Sequence, residues 1–261
     1  MGVVNVTPDS FSDGGRLHNA QAAIDYAFKL RDEGADILDV GGESTRPGAV
    51  TVPVDEEIQR VLPVIETLVR EGCLVSVDTT KPEVMRAALA AGAAMVNDVA
   101  ALRTPGALEV VVASEAAVCL MHMLGEPRTM QQGPRYADVV DEVKLFLQTR
   151  MAACEAAGIA RERLVIDPGF GFGKTLQHNL VLLKHMDCLT GLGLPVLAGL
   201  SRKSMLGALT GRVVEEREFA GAAAHLMAVM RGARLVRVHN VMAMRDALAV
   251  WNAVEEYRDG T

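Results

Sequence analysis

Val75-Ser76-Val77-Asp78 is a short apolar run closed by a polar side chain, and the chain repeats that pattern from end to end. Val3-Val4-Asn5, Ile37-Leu38-Asp39, Met95-Val96-Asn97, Cys119-Leu120-Met121-His122, Leu164-Val165-Ile166-Asp167, Val196 to Ser201 and Leu235 to His239 are its other copies. Runs this short and this apolar read as strands buried on both faces, as parallel strands under helices are. The closing residues recur about every 33 positions, the size of one strand with its crossover helix. Eight such units predict an α/β fold of the (β/α)8 TIM-barrel type, with all the polar strand ends at one mouth.

The segments between the runs carry helical periodicity: Ala20 to Glu33, Val54 to Glu71, Pro82 to Ala91, Pro105 to Ser114, Val139 to Ala157, His178 to Met186, Lys203 to Leu209 with Glu215 to Met230, and Val241 to Tyr257. Pro82 and Pro105 fall where a first helical turn tolerates a missing N–H, and Gly34, Gly72, Gly92, Gly158 and Gly232 stand where helices should stop. Only the number of units separates a closed barrel from an open doubly wound sheet. The 261 residues suit one barrel of ~250, so residues 1–261 read as one domain.

With 50% hydrophobic but only 4% aromatic residues, the core must be built from Ala, Val, Leu, Ile and Met. A net charge of −7 without a basic run argues against nucleic acid, so any anion must be held locally. Cys73, Cys119, Cys154 and Cys188 show neither CxxC nor metal-ligand spacing and are expected to be reduced core thiols. Nothing reads as a signal peptide or a membrane span, and Val6 stands where a myristoylation motif wants Ser or Thr; the expectation is a soluble, cytoplasmic protein.

Two strand-to-helix connections, Thr7 to Gly15 and Gly41 to Ala49, are longer than the fold requires and rich in Gly, Ser and Pro, as loops that carry substrate contacts and lids are. Asp78, Asn97 and Asp167 come from three strands and should converge on the cavity floor. Buried carboxylates there need donors, which a flat heterocycle with a 2-amino-4-oxo pyrimidine edge supplies; the alternative is pairing with Lys203 and Arg237 or capping of loops. Arg237 and His239 are two apart, hence on one side of the last strand, with Asn5 on the strand beside them. That is a pocket for phosphate or diphosphate with Mg²⁺. His122, a lone strand-end histidine, reads as structural. Asp167-Pro168-Gly169-Phe170-Gly171-Phe172-Gly173-Lys174-Thr175 looks like a P-loop, but Pro168 stands where the first glycine belongs. Its glycines instead let the loop pass beneath a flat ligand, with Phe172 offered to an aromatic ring. Ser201-Arg202-Lys203-Ser204 then sets two cations over the next strand end.

Asn5 to Gly15, Asp39 to Gly48, Asp167 to Lys174 and Ser201 to Ser204 together resemble the signatures of bacterial dihydropteroate synthases, and the similarity runs over essentially the whole chain. The resemblance implies an enzyme that joins 6-hydroxymethyl-7,8-dihydropterin diphosphate to p-aminobenzoate with loss of diphosphate, uses Mg²⁺ and forms a homodimer. On matching positions it implies a pterin site of Asp78, Asn97, Met121, Asp167 and Lys203. Asn5, Thr45, Arg237 and His239 would hold the diphosphate, Asn5 as the metal ligand. Phe11, Thr45, Arg46, Pro47, Phe172, Ser201 and Arg202 would border p-aminobenzoate, and sulfonamides should inhibit. Asp78, Asp167, Lys203, Arg237 and His239 would be catalytic. Family members carry a segment ahead of the first strand, so either this start is internal or the barrel floor is less covered. The rival readings are a methyltetrahydrofolate-binding methyltransferase domain and a non-catalytic pterin-binding module. Asn5, Arg237, His239 and the Ser201-Arg202-Lys203 run count against the first. An aldolase or isomerase barrel would want a Schiff-base lysine or a Glu/His pair that is not evident.

Overall fold

Each apolar run forms a strand in the computed structural model, which describes residues 1–7, 16–45, 48–126 and 129–257. The strands are β1 Gly2–Asn5, β2 Leu38–Gly41, β3 Val75–Asp78, β4 Met95–Asp98, β5 Ala117–Met121, β6 Leu164–Asp167, β7 Val196–Ala198 and β8 Ala233–Val236. They make one parallel eight-stranded sheet in sequence order. Its two ends meet just past β8, where Val3 N–H donates to Val238 O and Val238 N–H to Met1 O, both at 3.0 Å.

Helices α1 Arg16–Asp32, α2 Val54–Arg70, α3 Pro82–Ala90, α4 Ala107–Val112, α5 Val139–Ala156, α6 Leu176–Lys184, α7 Asp187–Thr190, α8 Ser204–Thr210, α9 Glu218–Met230 and α10 Val241–Glu256 connect the strands. Alternate strand residues divide between two environments, as the two-residue period of a strand demands. Val4, Leu38, Val40, Val75, Val77, Val96, Val118, Leu120, Leu164, Ile166 and Val196 pack outward in the large core shared with the helices. Met95, Cys119, Val165 and Leu197 form a second, inner cluster with Met1, flanked by Ile37 and Leu235. One step further along the strands, the inner side turns polar.

Several boundaries depart from the sequence reading. α1 begins at Arg16 rather than Ala20. Pro82 opens α3 as expected, but Pro105 lies outside α4 because Gly106 adopts φ +88°, a left-handed conformation that starts the helix only at Ala107. α7 was not foreseen, and α9 starts at Glu218 after a 3-10 turn at Val214–Glu216. Cys119 and Cys154 are buried, whereas Cys188 is exposed, so not every cysteine is a core thiol. Among the described residues no helix is long and apolar enough to cross a membrane.

Candidate functional site

The inner-side alternation delivers Asp39 of β2, Asp78 of β3, Asn97 of β4, Met121 of β5 and Asp167 of β6 to one end of the sheet. In register, Asp78 pairs with Asn97 and Met121 with Asp167, while Asp39 stands one inner position back, paired with Ser76. Arg237, just beyond β8, reaches across to them. Its Nε donates to Asp39 Oδ2 and its Nη2 to Asp78 Oδ2, each at 2.6 Å, and Asn97 Nδ2 donates to the same Asp39 oxygen at 3.1 Å. Burial alone would lower the pKa of Arg237, but the paired carboxylates outweigh it and hold the guanidinium charged.

One guanidinium balances one of the two carboxylates. Burial therefore pushes Asp78 up to about 7, against the opposing pull of Arg237. Asp167 is likewise raised by burial, opposed by the Gly169 N–H that donates to its Oδ1 at 2.7 Å and by the Lys203 charge. Lys203 is lowered to about 8 by burial, against the attraction of Asp167. These mutual influences place Asp78, Asp167, Lys203 and Arg237 in a single electrostatic cluster. Among the described residues, buried Asp39 Oδ1 and its register neighbour Ser76 Oγ have no hydrogen-bond partner. Each such atom costs about 1–3 kcal/mol unless a water or ligand satisfies it.

Phe172 packs on the cluster of Val99, Met121, Met123 and Met130, and Lys203 Nζ lies 4.1 Å from its ring centre. Gly171 allows that approach: a Cβ there would sit 3.0 Å from Lys203 Cδ. Between Ser201 and Lys203, Arg202 takes φ +59°, a strained left-handed setting for a non-glycine residue, and its side chain is exposed. Ser201 Oγ accepts His239 N–H at 3.3 Å and lies 2.9 Å from His239 Nδ1. His225 supports this corner from behind: its Nε2 accepts Leu200 N–H at 3.0 Å, and burial lowers it to about 4, so it is neutral. Asn5 is half-buried at the end of β1, in register with Gly41.

Thr45 is half-buried on the β2–α2 connection, a loop held by an ion network that the sequence reading did not pick out. Lys81 Nζ donates to Glu43 Oε2 at 2.5 Å and also to Glu57, while Val52 N–H donates to the same Glu43 oxygen at 2.7 Å and Thr79 Oγ1 donates to Glu57 Oε1 at 2.7 Å. Phe11, Arg46 and Pro47 lie outside the described residues. Sequence reasoning also gave Asp39 no role beyond ending a strand, though its place in the alternation was the available signal. His122 is structural, as expected: its Nδ1 faces Lys174 Nζ at 2.9 Å.

The pattern of the family described as "Pterin binding enzyme" matches residues 1–239. Dihydropteroate synthase of Haemophilus influenzae is 49% identical over 97% of this chain and 92% of its own length. Among solved structures, Xanthomonas albilineans dihydropteroate synthase with 4-aminobenzoic acid superposes with a TM-score of 0.94 at 57% identity, covering 99% of this chain and 93% of the other. A Yersinia pestis dihydropteroate synthase with a sulfonamide drug complex gives 0.94 at 44% identity, over 98% and 94%. The strand-end acids, the Asp167 loop and the Ser201-Arg202-Lys203 turn thus sit in a chain that is similar to these enzymes throughout, and it belongs to the dihydropteroate synthase family of pterin-binding enzymes.

Proposed function

We propose that the protein is a dihydropteroate synthase, joining 6-hydroxymethyl-7,8-dihydropterin diphosphate to p-aminobenzoate to give 7,8-dihydropteroate and diphosphate. The observation that carries this reading is the cluster of Asp78, Asn97, Asp167 and Lys203 beside Arg237: strand-end carboxylates that accept from Arg237 and from the Gly169 N–H and keep further acceptor capacity, next to cations. A pyrimidine edge rich in N–H groups supplies donors for that capacity, and Asn97 can both donate and accept. Met121 and the neighbouring methionines offer an apolar wall to the ring.

Breaking the C–O bond to diphosphate leaves positive charge on the pterin methylene. Asp78 and Asp167, fixed in a buried site, stabilise that charge without reorganising. Arg237, through the Nη1 that Asp39 and Asp78 do not take, and His239 receive the departing anion. Thr45 is proposed to join them. The arylamine of p-aminobenzoate carries its lone pair at neutral pH, so it needs positioning more than a base. Phe172, Ser201 and Arg202, with Phe11, Arg46 and Pro47, are proposed to give it that position. The new C–N bond then sheds one amine proton to solvent.

Mg²⁺ is proposed to bind at Asn5. The ion needs few protein ligands, because it keeps waters and takes diphosphate oxygens, and a half-buried amide oxygen at a strand end suits it. When bound, the ion neutralises charge on the leaving diphosphate. The hydrogen bonds from Val3 and Val238 across the sheet ends support full closure as a (β/α)8 barrel. A homodimer is proposed for the assembly.

The test is product analysis after mixing the protein with the pterin diphosphate, p-aminobenzoate and Mg²⁺: 7,8-dihydropteroate should form, and a sulfonamide should compete with p-aminobenzoate. Tight Mg²⁺-dependent binding of the pterin diphosphate with no product would point to a binding module instead. Turnover indifferent to millimolar sulfonamide would contradict the assigned aminobenzoate site.

A further inference from the structure

Lys174 takes no part in the chemistry above, yet it is only 3% exposed at the edge of the site. An ammonium has three protons and accepts nothing, so burial demands three acceptors. Lys174 has them: Gly169 O at 2.9 Å, Phe172 O at 3.1 Å and His122 Nδ1 at 2.9 Å. Its Nζ therefore points into the protein, onto two loop carbonyls and His122.

Two of those acceptors belong to the β6–α6 loop and the third follows β5, so the side chain ties two neighbouring connections together. The approach is close, since a Cβ on Gly169, at φ +68°, would lie 1.9 Å from His122 O. Other bonds run the same way. Gln131 Nε2 donates to Gly171 O at 2.5 Å and Tyr136 Oη to Gly173 O at 2.8 Å, both from the β5–α5 connection, while Gly171 N–H donates to Asn179 Oδ1 on α6 at 2.7 Å. The suspended loop bears Asp167 at its root and Phe172, whose ring faces Lys203, at its tip.

We propose that Lys174 is a positioning residue for the aromatic amine substrate, acting through Phe172: by tying the Gly169 and Phe172 carbonyls to His122, it fixes the Phe172 ring beside Lys203. This inference rests on the dihydropteroate synthase reading. Lys174→Met keeps length and apolar bulk but leaves three buried acceptors unsatisfied, so the loop relaxes at the aminobenzoate side. Asn97, Asp78 and the Arg237 pairs stand on other strands and keep their places.

The experiment is steady-state kinetics with each substrate varied in turn, alongside calorimetric titration of the pterin diphosphate, on wild type and three variants. Lys174→Met is expected to raise KM for p-aminobenzoate by about tenfold or more, while the Kd of the pterin diphosphate moves less than about threefold. His122→Leu, which removes one acceptor of the three, should shift the same KM in the same direction by less. His122→Asn, which restores an acceptor at the Nδ1 position, should return it to near the wild-type value. Equal shifts for both substrates, or an unchanged p-aminobenzoate KM in folded Lys174→Met, would overturn the proposal. If Lys174→Met does not fold, the two His122 variants decide: a KM that is the same in both refutes it. Wild-type turnover in the same assay tests the enzyme assignment separately.

Discussion

Arg237 lies between two carboxylates and can neutralise one, and that imbalance has a measurable consequence at Asp78. The carboxyl is raised from 3.8 to about 7 in the folded protein, burial being the main cause. Between those values the folded state holds more protons than the unfolded chain, so this group's contribution to stability is full below the lower value and is lost as pH rises through 7. Asp78→Asn stays neutral throughout. Thermal unfolding of the ligand-free proteins at pH 4 to 8 should therefore show the variant gaining on wild type as pH rises, by up to roughly 4 kcal/mol; a pH-independent difference would sink this account. For turnover the expectation is reversed. Asp78→Asn and Asp167→Asn should each lose activity by orders of magnitude with the fold intact, because fixed negative charge opposite the forming cation is gone. Near-normal rates in both would remove these carboxylates from the mechanism. Asp78, Asn97 and Asp167 were readable because each ends an apolar run. The role of Asp39 was not, because its partner Arg237 lies 198 positions away and only the fold brings them together.

The β2–α2 connection shows how an element is held where its own sequence has no regular structure. Glu57, on the first turn of α2, is 1% exposed, and its partners are Lys81 and the Thr79 hydroxyl. Lys81 in turn anchors Glu43, which fixes Val52 N–H and so both ends of the loop carrying Thr45. Lys81→Met would leave a buried carboxylate with a single hydroxyl donor, and breaking one side of a buried pair costs about 3–5 kcal/mol. Urea unfolding should register a loss of that order, whereas Lys29→Met, whose pair with Glu33 is exposed, should cost well under ~1 kcal/mol. Equal midpoints for the two variants would show that the network carries no stability. The length and Gly/Pro content of this loop were legible as a substrate loop, but its anchor was not, since Lys81 and Glu57 look like ordinary surface charges on their own segments. Element boundaries failed for a related reason: α4 is cut short by the backbone state of Gly106, which periodicity does not encode.

At the scale of the molecule, the repeating run-and-helix pattern was enough to order all eight strands, because strand interiors and helix faces bury the same aliphatic residues unit after unit. One surface bears on the proposed homodimer. α9 exposes Phe219, Ala223, Met227 and Met230, spaced as one stripe at i, i+4, i+8 and i+11, and α10, packed beside it, exposes Ala249, Val250, Ala253 and Val254, with Tyr257 just past its end. Phe219 is 88% and Val254 67% exposed, so neither side chain stabilises the single subunit by burial. We propose this apolar face as the contact of the homodimer proposed above, one patch meeting its own copy. Sedimentation equilibrium should find a dimer for wild type and a monomer for the double variant Phe219→Asp with Val254→Asp. Because those residues touch little within one chain, the variant monomer should keep the wild-type far-ultraviolet circular dichroism. Mutual repulsion of like charges at a two-fold interface supplies the discrimination, since each substitution introduces one carboxylate per subunit against the same patch. A wild type that stays monomeric at micromolar concentration, or a double variant that still dimerises, would remove this face from the assembly.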